Sequence, residues 1–208
     1  MKLYSLTPSG YSQMARIVRL EKGLTNRIEL ISVTTRGVDN ALYSINPSGR
    51  VPALVLDDGT VLEDSPLVCW YMDHLDGKPT LHPPEGMAGL EHRRIEATAR
   101  AMLDGVTVWA REFRYREAEK TMSEATLVHE LGRARRLADV FEKEVQGEVL
   151  SGPLNMAQIT LVAFCSLLPL IKDKRGFRWH DGRPHFRAWI ERMYGYASIA
   201  DTLPPLEV

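Results

Sequence analysis

The sequence predicts an α/β domain followed by an all-helical domain. Short apolar runs alternate with helical periodicity up to residue 76, whereas only helical periodicity follows residue 87. Between them, residues 77–86 are polar and rich in glycine and proline, which is typical of a linker. We therefore place the domains at residues 1–76 and 87–208, with a linker at 77–86.

The first domain is predicted to contain elements in the order βαβαββα. They are strand 3–6, helix 11–22, strand 27–33, a short helix at 39–43, strands 53–56 and 60–62, and helix 65–75. Two parallel strands joined by a helix require a right-handed crossover. This order is that of a thioredoxin-like fold. Two apolar faces are expected, Ile28 with Leu30 on the second strand and Leu67, Val68, Tyr71, Met72 and Leu75 on the last helix.

Residues 46–65 hold the most informative pattern of the chain. Asp58-Gly59 between two apolar runs predicts a tight hairpin, because glycine adopts positive φ without steric cost. Pro52 cannot donate to a β-ladder and is expected at a sheet edge or at the first residue of a strand. The backbone of Val51 ahead of it is expected to point along an open edge, where an extended peptide could pair. Ser65, ahead of Pro66, is predicted to cap a helix whose free N–H groups favour an anion. The combination predicts a site for a small acidic peptide.

Four longer helices are predicted in the second domain, covering 87–118, 121–145, 155–171 and a segment from Pro184 onward. Thr121 with Glu124 and Asn155 with Gln158 have the spacing of capping boxes. The helix after Asn155 is nearly all apolar, so we expect it to form the centre of the domain. Gly105 inside the first helix predicts a bend or a close approach of another helix.

Composition excludes several functional classes. A formal net charge of −1 gives no electrostatic field that favours nucleic acid. The sequence contains no run of about 18 apolar residues, so no membrane-spanning helix is expected. The start of the chain has no signal-peptide pattern, so a cytoplasmic location is expected. Cys69 and Cys165 lie in apolar helical patterns and are expected to be buried thiols. The six histidines show no spacing typical of a metal site.

The segment with Val51-Pro52 and Asp64-Ser65 resembles the glutathione S-transferase family. The helical second domain also looks like that family, so the resemblance covers nearly the full length. In that family, a Val-Pro bond before the hairpin is cis, and the valine backbone pairs with the cysteinyl part of glutathione. The resemblance implies these roles for Val51 and Pro52, and it implies that Asp64 and Ser65 hold the γ-glutamyl end. Arg50 is implied to reach a glutathione carboxylate, although a solvated loop arginine is the alternative.

The resemblance also implies a residue that ionises the glutathione thiol where the first strand meets the first helix. A free thiol with a pKa of about 8.5 is mostly protonated at neutral pH, and a hydrogen bond together with a helix N-terminus lowers that pKa. The matching position is Ser9. Gly10 stands where proline is common, so Ser12 and Tyr11 remain alternatives, and Ser9 could be a plain N-cap. Without a Cys-x-x-Cys motif at this junction, disulfide exchange is disfavoured.

The implied function is conjugation of glutathione, as co-substrate, to a small hydrophobic electrophile, as in detoxification. Tyr11, Trp109 and Phe113 are candidates for contacting that electrophile, with Tyr115 as a further one, and core packing is the alternative for each. The family implies a homodimer. Two other functions are open: a non-catalytic binding or regulatory module, and a glutathione-dependent isomerase or lyase.

Overall fold

The computed structural model describes residues 1–117, 119–167, 169 and 178–205. It divides into two compact units. One comprises Met1–His82 with Ser198–Pro204, and the other comprises the described residues of Pro83–Ala197 with Pro205. The domain limits drawn from the sequence, 1–76 and 87–208, stay a prediction.

A four-stranded mixed sheet forms the centre of the first unit. Its strands are β1 (Lys2–Ser5), β2 (Glu29–Ser32), β3 (Ala53–Val55) and β4 (Val61–Glu63). The strand order is β2-β1-β3-β4, with β1 parallel to β2 and antiparallel to β3, and with β3 antiparallel to β4. This topology confirms the predicted thioredoxin-like arrangement.

Two helices pack together in the first unit, α1 (Gly10–Glu21) and α2 (Ser65–His74). Short 3₁₀ turns at Leu24–Asn26 and Ala41–Ser44 complete it. The buried apolar residues come from the central strands and from both helices; they include Leu3, Leu54, Met14, Val18, Val68 and Met72.

The predictions of two apolar faces, on the second strand and on α2, are partly wrong, because one residue of each face is exposed. Leu30 on the edge strand β2 is 42% exposed, while Ile28 is buried just ahead of that strand. Leu67 is 45% exposed, because α2 buries the face that carries Val68, Cys69 and Met72. The α2 sequence is apolar almost all round, so its periodicity did not define the buried face.

The second unit is helical throughout its described part. After a 3₁₀ turn at Gly86–Gly89, α3 (Leu90–Arg111) continues into a π-helical turn at Glu112–Arg116. The next elements in the chain are α4 (Glu124–Glu144), α5 (Glu148–Ser151), α6 (Met156–Leu167) and α7 (Pro184–Met193). The last helix, α8 (Ala197–Ala200), belongs to the first unit from Ser198 onward. All twelve residues of α6 are buried, as predicted for the centre of this domain. The rest of the predicted 155–171 helix lies largely outside the described residues.

One predicted capping box is confirmed and the other is wrong. The backbone N–H of Asn155 donates to Gln158 Oε1 at 3.0 Å, and that of Gln158 donates to Asn155 Oδ1 at 3.1 Å. At the start of α4, however, the N-cap is Ser123 rather than Thr121. Its backbone N–H donates to the buried carboxylate of Glu112 at 2.8 Å, and this tertiary contact places the helix start two residues later.

Candidate functional site

Three connecting segments lie at one end of the sheet, one after β1, one before β3 and one after β4. In the register, Tyr4 pairs with Ala53 and Ala53 pairs with Glu63, so these residues form one row across β1, β3 and β4. Beyond this row, β1 leads toward Ser9, β4 leads directly into Asp64, and β3 is entered from Val51 on the same side. Predicted site residues from three separate stretches are therefore brought to the same sheet end.

Ser9 is the N-cap of α1. Its backbone is extended, with φ −93° and ψ 120°, and its Oγ accepts a hydrogen bond from the N–H of Ser12 at 3.3 Å. That bond uses the oxygen as acceptor and leaves the hydroxyl hydrogen able to donate elsewhere. Capping and donation to a sulfur atom are therefore compatible roles for Ser9.

The Ser12 hydroxyl is fully buried, and its Oγ accepts a hydrogen bond from the backbone N–H of Leu6 at 3.3 Å. This contact fixes the turn between β1 and α1. Tyr11 is half-buried on the first turn of α1 and makes contacts of its own. Of the two serines, the half-buried Ser9 is better suited than the buried Ser12 to face a ligand.

The side chain of Arg16 stabilises the same turn through hydrogen bonds. Its buried guanidinium donates to Ser5 Oγ at 2.9 Å and to the carbonyl oxygens of Leu6, Thr7 and Thr202 at 3.0–3.2 Å. Burial lowers the pKa of Arg16 to about 10. These acceptors come from the strand end and from the segment near residue 202, so Arg16 ties the two together.

The Val51–Pro52 bond is cis, as the resemblance implies. Val51 is half-buried, and within the described part of the chain its backbone N–H and C=O form no hydrogen bond. Pro52 is buried and precedes the first residue of β3, which lies between β1 and β4, so the strand that it opens is central and not an edge strand. The unpaired backbone of Val51 is therefore able to pair with an extended peptide.

The loop ahead of Val51 is braced by polar side chains. Asn46 donates to the carbonyl oxygen of Arg50 at 3.1 Å, and its Oδ1 accepts from the N–H of Ser48 at 3.3 Å. The Ser48 hydroxyl lies within hydrogen-bonding distance of Glu63 on β4. Hydrogen bonds from Ser48 and then Asn46 lower the pKa of the exposed Glu63 carboxyl. The Arg50 side chain itself is exposed.

Asp64 joins β4 to α2 with an unusual backbone. Its φ is +75° and its ψ is 126°, and it is the N-cap of α2, although its side chain makes no capping bond. The prediction that Ser65 caps this helix is therefore wrong, since Ser65 is the first helical residue and is buried. The carboxylate of Asp64 is exposed and has no hydrogen bond among the described residues.

The other candidates lie in the helical unit. Trp109 on α3 is 1% exposed and lies 6.5 Å, centroid to centroid, from Phe113 in the π-helical turn. Phe113 and Tyr115 are half-buried. A π-helical turn is often found at functional sites, so Phe113 and Tyr115 are better placed than Trp109 to meet a ligand.

Both cysteines are buried thiols that form no disulfide, as predicted. Burial raises the pKa of the Cys165 thiol, which suppresses its thiolate. Sequence reasoning missed Arg16, Asn46 and Glu63, which act on the site through other residues. No motif singles them out, because their partners are distant in the chain or belong to the backbone.

Two comparisons with known proteins point to one family. A family model for the N-terminal domain of glutathione S-transferases matches residues 8–75. An uncharacterised GST-like protein of Escherichia coli, YibF, is 31% identical over 206 residues, which cover 99% of both chains. The chain belongs to the glutathione S-transferase family.

Other members of the family add detail. A glutathione transferase family member from Pseudomonas fluorescens, solved with bound glutathione, is 28% identical with a TM-score of 0.87, and the match covers 98% of each chain. A maleylacetoacetate isomerase of Pseudomonas aeruginosa is 31% identical over 100 residues, covering 47% of both proteins. In the described part of this transferase-family chain, no helix is both long and apolar enough to span a membrane.

Proposed function

We propose that this protein binds glutathione at the sheet end defined by Ser9, Val51 and Asp64 and transfers its thiolate to a small hydrophobic electrophile. The observation that carries the proposal is the register row Tyr4–Ala53–Glu63, beyond which all three connecting segments lie. The P. fluorescens family member with bound glutathione supports the choice of ligand.

The tripeptide is proposed to lie antiparallel to the segment around Val51, which offers one N–H and one C=O. The Asp64 carboxylate then accepts hydrogen bonds from the γ-glutamyl ammonium group. The N–H groups of the first turn of α2, which begins at Ser65, bind the γ-glutamyl carboxylate. The exposed Arg50 guanidinium reaches the glycyl carboxylate, for which its planar fork is suited.

Thiol activation is assigned to Ser9. Its hydroxyl donates a hydrogen bond to the glutathione sulfur while its oxygen continues to accept from Ser12. The N-terminus of α1 adds a positive field at the same point. Both effects stabilise the thiolate over the thiol and so lower its pKa. The thiolate then attacks the electrophile and forms a carbon–sulfur bond, and the group displaced from an aryl halide leaves as halide.

The deciding experiment measures glutathione affinity by calorimetry and, separately, conjugation to an aryl halide. Binding with turnover is the expected result. Binding without turnover would favour the regulatory module, and no binding would contradict the proposal. The partial match to maleylacetoacetate isomerase supports one alternative, a glutathione-dependent isomerase. A screen of unsaturated keto acids tests it, because an isomerase returns glutathione unconsumed.

The proposal also covers the oligomeric state and the cellular location of the protein. A homodimer is supported by the family and by exposed apolar side chains on α2, of which Leu67 is 45% exposed. Size-exclusion chromatography with light scattering tests it, and a monomer would contradict it. A cytoplasmic role in detoxification is proposed on the same family basis.

A further inference from the structure

Two histidines of the first unit come together away from the glutathione site. His74 is the last residue of α2, and His82 follows it after a turn. Their ring centroids lie 5.5 Å apart with the ring planes tilted by 57°. One ring nitrogen of each, Nδ1 or Nε2, lies within 4.8 Å of the other and of a carboxylate oxygen of Asp73.

Hydrogen bonds fix which nitrogen of each ring carries the proton. His74 Nδ1 lies 2.8 Å from the carbonyl oxygen of Trp70, which can only accept, so Nδ1 is the donor. His82 Nδ1 lies 2.8 Å from Asp73 Oδ2 and donates in the same way. In the neutral rings, both Nε2 atoms therefore keep their lone pairs free for another bond.

Asp73 supports this pair and is not itself available as a ligand. Its side chain is fully buried and accepts backbone hydrogen bonds from Thr80, Leu81 and His82 at 2.9–3.3 Å. Lys22 Nζ lies 3.4 Å from its Oδ1. With every acceptor position occupied, the carboxylate can orient His82 but has no capacity left to bind an ion directly.

We propose that His74 and His82 bind a divalent transition-metal ion of the zinc and copper class through their Nε2 atoms. Imidazole suits these ions, and histidine ligands characteristically donate the second ring N–H to a carboxylate or a backbone carbonyl. Both kinds of support are found here, one for each ring. Two imidazoles on one tetrahedral zinc ion have centroids about 5 Å apart, close to the observed spacing.

The first test is calorimetric titration of tag-free protein with Zn²⁺. His74→Gln and His82→Gln are each expected to weaken zinc binding at least about tenfold, since each removes one of two protein ligands. His185→Gln, at an exposed position on α7, is the matched control and should bind as tightly as the parent protein. Absence of zinc binding, or equal affinity in all four proteins, would overturn the proposal.

Trp70 provides a local optical probe. It is 48% exposed and stacks on His74 with centroids 4.5 Å apart, whereas Trp109, Trp179 and Trp189 are buried. Cu²⁺ bound to His74 is expected to quench Trp70 fluorescence, and both His74→Gln and Trp70→Phe should abolish that quenching. Quenching that survives either substitution would place the copper elsewhere.

A third measurement needs no substitution and so does not depend on how the variants fold. In the metal-free protein, the imidazole ¹⁵N resonances of His74 and His82 are expected to show protonated Nδ1 and unprotonated Nε2. Addition of Zn²⁺ should shift the two Nε2 resonances and no others by a comparable amount. A protonated Nε2 in either ring of the neutral form would overturn the proposal.

Discussion

The Oγ of Ser9 accepts a hydrogen bond from the N–H of Ser12 at 3.3 Å, and the Oγ of Ser123 accepts one from Thr126 at the same distance. Both serines are N-caps with extended backbone, at φ −93° and −94°. The caps are alike, but only Ser9 adjoins the sheet end that also carries Val51. A comparison of the two separates capping from catalysis.

Ser9→Ala and Ser123→Ala are each expected to lower the free energy of unfolding by about 1 kcal/mol, because each removes an N-cap. Only Ser9→Ala should also lower kcat/KM for glutathione conjugation, by roughly 10- to 100-fold. A hydrogen bond to a charged group is worth about 1.5–3 kcal/mol. Steady-state kinetics with thermal unfolding measure both effects. Equal activity in the two variants would assign Ser9 a purely structural role.

Asp64→Gly is expected to stabilise the fold while weakening glutathione binding. At φ +75° and ψ 126°, a residue with a Cβ is strained, and glycine relieves that strain for a net gain of about 1 kcal/mol. Loss of the carboxylate should raise the glutathione Kd about tenfold or more. Asp64→Asn is the control, since it loses the charge and keeps the Cβ. A tightly binding Asp64→Gly variant would remove Asp64 from the site.

The Glu63 carboxylate is expected to make stability depend on acid pH. Hydrogen bonds from Ser48 and Asn46 hold its folded pKa below the ordinary 4.5. Its contribution is therefore present above that value and is lost as the pH falls through the lower, folded pKa. The difference in Tm between the parent protein and Glu63→Gln should be largest near neutral pH and should close as the pH falls through that lowered pKa. A constant difference would contradict this account.

Gly105 and Gly132 should respond oppositely to alanine. A Cβ on Gly105 would lie 2.7 Å from Oε2 of the buried Glu130 and 3.0 Å from Arg133 Cδ, while these two side chains form an ion pair at 2.9 Å. Disturbing that pair should outweigh the helix-propensity gain of about 1 kcal/mol, so Gly105→Ala is expected to be destabilising.

A Cβ on Gly132 meets only the tip of Arg136, at 3.1 Å, so Gly132→Ala should stabilise α4 by about 0.5–1 kcal/mol. Chemical denaturation of both variants measures the two effects. Stabilisation by Gly105→Ala would show that Glu130 and Arg133 adapt without cost. It would also remove the reason for glycine at the close helix approach predicted from the sequence.

Structural features that depend on neighbouring residues, such as turns and helix caps, could be predicted from the sequence. Asp58-Gly59 specifies the hairpin, where Gly59 has φ +88°, and Asn155 with Gln158 specifies a reciprocal cap. These features depend on residues within a few positions of one another. The order of strands and helices follows from them, and with it the fold class.

Features that depend on distant partners could not be predicted. Arg16 donates to the carbonyl oxygen of Thr202, 186 residues away, and nothing near Arg16 in the sequence indicates a buried guanidinium. His74 and His82 adjoin only because Asp73 folds the intervening turn back, so the spacing of the histidines predicted no metal site. The strained φ of Asp64 is likewise set by the strand-to-helix junction and not by a residue motif.

The central claim is that this sheet end binds glutathione and ionises its thiol. The most direct measurement is a pH titration of the ultraviolet thiolate absorbance of glutathione bound to the parent protein and to Ser9→Ala. We expect the bound thiol in the parent protein to titrate at least about one pH unit below the free value of about 8.5, and Ser9→Ala to reverse most of that shift. A bound thiol that titrates like free glutathione, or no bound glutathione at all, would contradict the account.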